Sequence, residues 1–217
     1  MDKVSEQSVS LKDYTVEVVP RKTIQDFIHK HHYSHNTNGI QGLECFALFA
    51  PGNFGIPKMV GAMMYAIPSM PNTARAYNPI NPERCVELRR LVCIDDTPKN
   101  TESYFIGKTI KWLKKNTNYE VIISFADKQY GHTGVIYRAS NFEFIGETGA
   151  GRVLMVDGKE YHSRSLSQPI KPYSRRIRAR WEEGDPDVFF KKRKSKNRYI
   201  YYLNKGIKKK IKRLEKA

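Results

Sequence analysis

The chain opens on polar residues, and its first clear alternation is TVEVVP, Thr15 to Pro20, where apolar and polar positions take turns as on a half-exposed strand. Apolar residues then recur at Ile24, Phe27 and Ile28 inside RKTIQDFIHKHHYSH, the three- and four-residue spacing of a helix face. GLECFALFAP and MVGAMMYAI follow as apolar runs separated by PGNFGIPK, whose prolines and glycines predict a hairpin-like connection between two antiparallel strands. SMPNTARAYNPINPERC, Ser69 to Cys85, reads as one long Pro/Asn-rich loop. Loops of that length inside a compact domain are usually functional or mobile.

RCVELRRLVCI, Arg84 to Ile94, predicts a strand with Val86, Leu88, Val92 and Ile94 on one face and Glu87, Arg89 and Leu91 on the other. TESYFIGKTIKWLKKN starts with capping-type residues and Glu102, carries Ile106, Ile110 and Leu113, and ends in lysines, as a helix does. YEVIISFAD predicts a buried strand, GHTGVIYRASN a short helix, and FEFIGE and RVLMVDGKEYH two more strands. This order predicts a mixed α/β protein around one central sheet. At 217 residues the chain suits one substantial core with an appendage, divided as a globular domain over 11–168 and a basic, aromatic segment over 169–217.

Charge sharpens that division. From Lys171 to the end, 18 Lys/Arg stand against 5 Asp/Glu, which is +13 of the chain's +16. A solvated tail is the plain reading of such a run. This one is interleaved with Trp181, Phe189, Phe190, Tyr199, Tyr201 and Tyr202, which favours nucleic acid: phosphates for the cations and bases for the rings. A nucleic acid is the expected partner, with Arg175, Arg176, Arg178, Lys191, Lys192, Arg193 and Arg198 as the contacts. Cys45, Cys85 and Cys93 form no CxxC pair, so neither a disulfide framework nor a four-cysteine zinc site is predicted and a reducing cytoplasm is expected. No apolar run approaches the roughly 20 residues of a membrane span, so no membrane partner is expected.

The candidate chemistry sits at the ends of predicted elements. Asp127 closes a buried strand just before a helix, where open α/β sheets place ligands. Capping that helix is its structural alternative, although four residues separate Asp127 from His132, leaving the cap to His132 or Thr133. Tyr137 is either a core tyrosine or, with Ile136 and Ala139 or Ser140 forming the packing face, a hydroxyl aimed at the ligand end as an acid or metal ligand. HKHHYSHN holds four of the six histidines, with His31 and His35 spaced as one helix face and His32 beside Tyr33. With Asp127 brought in through space, a His32/Asp127/Tyr137 set suits iron better than structural zinc. A buried Arg89 must pair or face an anion. Ser103, at the start of a helix, marks a phosphate site of low specificity. No GxGxxG or GxxxxGK[ST] motif is present.

Strand, polar turn, a short helix carrying IYRASNF, then strand resembles the second half of the GNAT acyltransferase fold. ELRRLVCIDDTPKNTESYFIGKTIKWL falls where such enzymes bind the acyl-CoA pyrophosphate, yet it departs from their Gly-rich loop. HHYSH, ELRRL, FADKQYGHTGVIYRASNF and RYIYYLNKG together resemble the Mom DNA-modification proteins of bacteriophages, a diverged GNAT-like family, from about His29 to Gly206. The resemblance implies a GNAT-like mixed central sheet flanked by helices, with a basic C-terminal extension. It implies conversion of adenine in double-stranded DNA to a methylcarbamoyl (acetamido) form that shields phage DNA from host restriction in the host cytoplasm. By matching motif, His32, Tyr33, Arg89, Asp127 and Tyr137 become active-site residues, and Ser103 with Arg89 would serve a cofactor. It also implies iron, and acetyl-CoA or another small-molecule donor. The rival readings are an ordinary N-acetyltransferase acting on a protein or small-molecule amine, and a DNA-binding protein without catalysis.

Overall fold

A computed structural model describes residues 10–214. Strand β1 (Thr15–Val18) leads into helix α1 (Arg21–His31), which starts directly after Pro20 and buries Ile24 and Ile28. Strands β2 (Gly42–Ala50) and β3 (Lys58–Ala66) make the expected antiparallel pair. The stretch read as one long loop contains helix α2 (Pro71–Tyr77), and its proline is the reason it can: in the first helical turn a missing N–H leaves no bond unmade. Strand β4 (Cys85–Cys93), helix α3 (Thr101–Asn116), strand β5 (Val121–Asp127) and the short helix α4 (Val135–Ala139) follow as predicted. Beyond them lie β6 (Glu143–Glu147), β7 (Gly151–Val156), β8 (Lys159–Tyr161), α5 (Arg164–Ser167), α6 (Pro172–Glu182), β9 (Val188–Arg193), β10 (Lys196–Tyr202) and α7 (Lys205–Leu214).

The chain packs as two compact units. The first takes in the described residues through Phe125, then Gly134–Ile145 and the chain from Arg198 on, whereas the second comprises Ala126–Thr133 and Gly146–Asn197. The charged stretch from Pro169 onward therefore gives α6 and β9 to the second unit and most of β10 with α7 to the first.

Seven strands in the order β1-β2-β3-β4-β5-β10-β6 form a mixed sheet, antiparallel from β1 to β4 and parallel between β4 and β5. Helices cover both faces, as an α/β architecture requires. On one face Ile24 and Ile28 of α1 pack against Cys45, Ala47, Ala62 and Met64. On the other, Trp112 of α3 meets Phe46 edge-on at 5.3 Å, and the Thr109 hydroxyl meets that of Tyr65 at 2.8 Å. Ile24, Ile28, Phe46, Phe105 and Leu113 are completely buried. Side chains of this kind contribute about 1.5–3 kcal/mol each on leaving water. At the far end, α7 turns Ile207 and Ile211 onto Cys85, Val121, Ile123 and Ile200. The second unit is smaller: β7 pairs with β8 and β9 in an antiparallel sheet, and Ile177 of α6 packs on Leu154, Val156 and Val188.

Two irregularities in β4 position the site. Against β3, Leu91 pairs with Met63 and Arg90 with Met64, but Leu88 pairs with Tyr65 and Glu87 with Ala66, so Arg89 is an extra residue in a β-bulge. Residues opposite one another in a ladder share a face. Glu87, Arg90 and Val92 therefore lie with Ala66, Met64 and Ala62, while Leu88 and Leu91 lie with Tyr65 and Met63. Strict alternation, which grouped Leu88 with Val92 and Glu87 with Leu91, fails because the bulge inserts one residue into a period of two. The second irregularity is a fork. The parallel ladder between β4 and β5 runs through Cys85–Val121, Val86–Ile122 and Glu87–Ile123. At the next step the Ser124 hydroxyl, instead of a backbone amide, donates to the Leu88 carbonyl at 3.1 Å.

Candidate active site and basic surface

In the first unit a polar cluster gathers where β4 and β5 part. Glu87 is buried, and its Oε2 accepts from the Ser69 N–H and from Nη1 of Arg89, both at 3.3 Å. The expectation that Arg89 must pair or face an anion is met through its own strand neighbour, side by side across the bulge. Arg90 turns its guanidinium to the carbonyls of Asn36 and Arg89, at 3.1 and 2.8 Å. Burial, and then the charge of Arg89, lower its pKa.

Tyr137 reaches this cluster from α4. That helix begins at Gly134 with φ +82°, and a Cβ there would lie 2.3 Å from the Tyr199 ring. Only glycine allows the turn and the close approach together. Tyr137 then packs against Tyr199 and Phe142, with ring centroids 5.1 and 5.6 Å away. Tyr137 is itself the buried residue of α4, Ile136 is half-buried and Ala139 exposed, while Ser140, just past the helix, is buried; of the packing face expected from Ile136 and Ala139 or Ser140, Ala139 drops out and Tyr137 takes the inward place. A five-residue helix completes barely one turn, and its largest ring takes the inward position. The Tyr137 hydroxyl shares a hydrogen bond with Ser124, and burial, helped by nearby Tyr33, Glu87 and Tyr199, pushes its pKa up to about 12. It therefore stays protonated at neutral pH, as a donor.

His32 and Tyr33 follow the end of α1. His32 is buried and stacks on Tyr33 at 4.2 Å between ring centroids. Its Nδ1 accepts the Ser34 N–H at 3.1 Å, so the neutral ring carries its proton on Nε2. The histidine face proposed for His31 and His35 does not form: α1 stops at His31, and His35 lies in the turn beyond it with φ +45°. There His35 Nδ1 meets the His29 carbonyl at 2.9 Å, and His29 Nε2 meets the Thr37 hydroxyl at 3.2 Å. Those histidines shape a turn. Ser103 stands on the first turn of α3 and donates to the Asn100 carbonyl at 3.0 Å.

Within the first unit the structure thus associates Tyr33, Arg89 and Tyr137 of the predicted residues, with His32 stacked on Tyr33. It adds Glu87 and Ser124, which the sequence reading left out of the site. For Glu87 the signal was present: a carboxylate inside an apolar strand has to be held by something. The cysteines offer no rival nucleophile, since burial pushes Cys45 up to about 11 and Cys85 and Cys93 up to about 12.

Asp127 belongs to the second unit, and its surroundings are electrostatic. Its Oδ1 accepts the Gln129 N–H at 3.0 Å, capping the 3-10 turn Lys128–Tyr130, whereas α4 starts at Gly134 without a side-chain cap, so the cap expected there from His132 or Thr133 does not form. Its Oδ2 takes Nη2 of Arg193 at 3.3 Å and Nζ of Lys196 at 3.0 Å. Around it the unit is strongly basic. Arg176, Lys191, Lys192 and Lys194 are exposed, and Arg152 lies over the Phe190 ring at 4.1 Å. Arg175 and Arg178, on α6, donate to the carbonyls of Ile170 and Leu166. Arg198 lies in the first unit, half-buried, with its guanidinium on the Tyr77 hydroxyl at 3.2 Å and the Ile145 carbonyl at 3.4 Å.

The residues suggested for iron do not fit a metal. Among the described residues no three His, Cys, Asp or Glu side chains come together as a metal-holding group. Asp127 is neutralised by two cations, and Nδ1 of His32 is occupied by a backbone amide.

A model of the Mom protein family matches residues 13–217. Methylcarbamoylase mom of Escherichia phage Mu is 32% identical over 165 residues, covering 74% of this chain and 66% of that protein, a little under two thirds of its length. Among solved structures, ribosomal-protein-S5-alanine acetyltransferase from Vibrio fischeri superposes with a TM-score of 0.48 at 9% identity, over 89% of this chain and 94% of the other. A spermidine N-acetyltransferase from Vibrio cholerae, in complex with CoA and spermine, gives 0.47 at 10% identity, over 88% and 96%. The mixed α/β class rests on the observed sheet itself. No helix among the described residues is long and apolar enough to cross a membrane.

Proposed function

The chain belongs to the Mom protein family, and from that premise we propose that it is a DNA-modifying transferase that converts adenine to its N6-methylcarbamoyl (acetamido) form and so protects phage DNA from host restriction. The observation that carries this reading is its 32% identity to a methylcarbamoylase, and the Glu87–Arg89–Tyr137–Ser124 cluster supplies groups suited to the chemistry.

Adenine's exocyclic amine is a poor nucleophile because its lone pair is delocalised into the ring. Acyl transfer alone would leave an amide on it, whereas the acetamido group is attached through its methylene carbon. The donor must therefore offer a saturated carbon that already bears the carboxamide and a leaving group; the methyl of acetyl-CoA has neither, so another small molecule, or one assembled from acetyl-CoA before transfer, is its source. Bond formation at N6 sets a proton free, for which Glu87 is the carboxylate at hand. Tyr137, a neutral phenol, donates to the group that leaves the saturated carbon as the bond to N6 forms, and Arg89 orients Glu87 and meets negative charge on the donor. His32 offers its Nε2–H beside Tyr33. The base leaves the stack to reach these groups. Residues 169–217 contribute DNA contacts, Arg175, Arg176, Lys191 and Lys192 among them, by neutralising phosphates.

The test is mass spectrometry of nucleosides from DNA of cells expressing the protein. An acetamido-adenine product that disappears with Tyr137→Phe supports the proposal. Unmodified DNA from cells making the folded wild-type protein refutes it, and an acetylated amine in its place would reassign the enzyme as an N-acetyltransferase.

A further inference from the structure

The second unit contains a groove of about 390 Å³ lined by Arg152, Arg193, Lys194 and Lys196, with His162 as a further donor and Glu160 as the carboxylate of its described lining. Two of these cations are already engaged. Arg193 and Lys196 both hold Oδ2 of Asp127, at 3.3 and 3.0 Å. The Asp127 side chain is 3% exposed, whereas those of Arg193 and Lys196 are 27% and 42% exposed. The carboxylate thus stands behind the two cations, and the cations face solvent.

Such an arrangement is expensive to build without an external anion in view. A lone carboxylate needs one partner for neutrality, yet here two cations converge on one oxygen and two more line the same groove. The excess positive charge is focused where an anion can enter from solvent. We propose that this groove takes a backbone phosphodiester of the DNA, and that Asp127 is its resident counter-ion, competing with that phosphate for Arg193 and Lys196 and so limiting the protein's grip. The assignment rests on DNA being the substrate. Asp127 is then a positioning residue that fixes the two cations and moderates affinity, and it takes no part in bond making.

The chemistry makes an unusual demand on the variants. Removing a ligand or an acid from an active site weakens function, but removing a resident competitor strengthens binding. Asp127→Asn keeps an Oδ1 acceptor for the Gln129 N–H while discarding the negative charge. The full chain is titrated against a labelled DNA duplex by fluorescence anisotropy over about 50–200 mM salt. Asp127→Asn is expected to bind several-fold more tightly than wild type. Arg152→Ala and Lys194→Ala are each expected to weaken binding and to flatten the slope of log K against log salt, by about 0.9 for one lost phosphate contact. Lys194 is exposed, so its variant reads the groove even if Asp127→Asn fails to fold.

Weaker binding by a folded Asp127→Asn, or unchanged affinity and slope in Arg152→Ala and Lys194→Ala, overturns the proposal. Inorganic phosphate that displaces the duplex at equal phosphate concentration assigns the groove to a small anion and overturns it too, as does a single-stranded RNA preferred over the duplex. The underlying reading fails separately, through absent modified nucleoside in DNA from cells making the wild-type protein.

Discussion

The two units treat charge in opposite ways. In the first, acids are taken inside and satisfied: Glu87 by Arg89 and the Ser69 N–H, and Glu120 by Asn78, Asn81 and Arg84 at 2.9–3.1 Å. In the second, cations are displayed, and the buried acid Asp127 answers two of them. A buried, fully bonded acid is fixed in place, as bond-making chemistry requires. A displayed cation keeps its hydration and its reach, as phosphate contact requires. On the function proposed above, chemistry falls to the first unit and grip to the second, following how each unit solvates its ions.

The comparison breaks most visibly if the inside acids do no chemistry. Glu87→Gln is expected to lower the yield of modified adenine by about 10³-fold while leaving duplex affinity within twofold of wild type. Nucleoside analysis and anisotropy on one preparation check both. Equal losses in the two readouts would erase the distinction.

Next in size is Gly134→Ala, where a new Cβ would meet the Tyr199 ring at 2.3 Å on a backbone with φ +82°. Strain and overpacking together are expected to cost about 2–3 kcal/mol, seen as a lower urea midpoint at unchanged slope. Tyr137 packs on that ring, so product yield should fall with stability.

Glu120 gives a pH-dependent measure of the first unit's internal acids. Desolvation pulls its pKa up, but hydrogen bonds from Asn81, Asn78 and Arg84 outweigh it and hold the pKa below the ordinary 4.5. A depressed folded pKa means stability that is fully present above the unfolded value and lost as pH falls through the folded one. Glu120→Gln should cost about 2 kcal/mol at pH 7, and the gap to wild type should close as pH drops below 4.5. Urea titrations at neutral and acid pH report both.

The smallest effect belongs to the second unit's surface. Glu182→Ala removes an exposed i,i+4 pair with Arg178 at 2.8 Å. Its expected cost is under about 0.5 kcal/mol, and a thermal melt that shifts by several degrees would show that displayed charge stabilises this unit after all.

Local pattern revealed much of the first unit. The spacing of Ile24 and Ile28, the hairpin of β2 and β3, and the capped, lysine-ended α3 could all be read in order along the chain. Composition alone hid α2, because a proline in the first turn of a helix looks the same as a proline in a loop. The bulge at Arg89 was hidden for a different reason: it exists only against β3, and period-two reasoning has no access to the partner strand. The same holds for the site. Tyr137 and Arg89 could be named from motif, but the Ser124 bond to the Leu88 carbonyl, and the cations on Asp127 from Arg193 and Lys196, join residues far apart in sequence. Long-range pairings of this kind leave no periodic trace in a single chain.

The fork between β4 and β5 has a consequence for proton traffic at the backbone. Amides of the ladder pairs from Cys85 to Glu87 and from Val121 to Ile123 sit in the middle of a continuous sheet and should surrender their hydrogens to deuterium only when the whole unit opens. One step farther, a serine side chain has replaced the partner strand, so the facing edge of Phe125 should exchange through small local excursions. Any small molecule that wedges into that gap and borrows those backbone groups would then announce itself, without any turnover, as a sudden slowing of deuterium uptake just past Ser124.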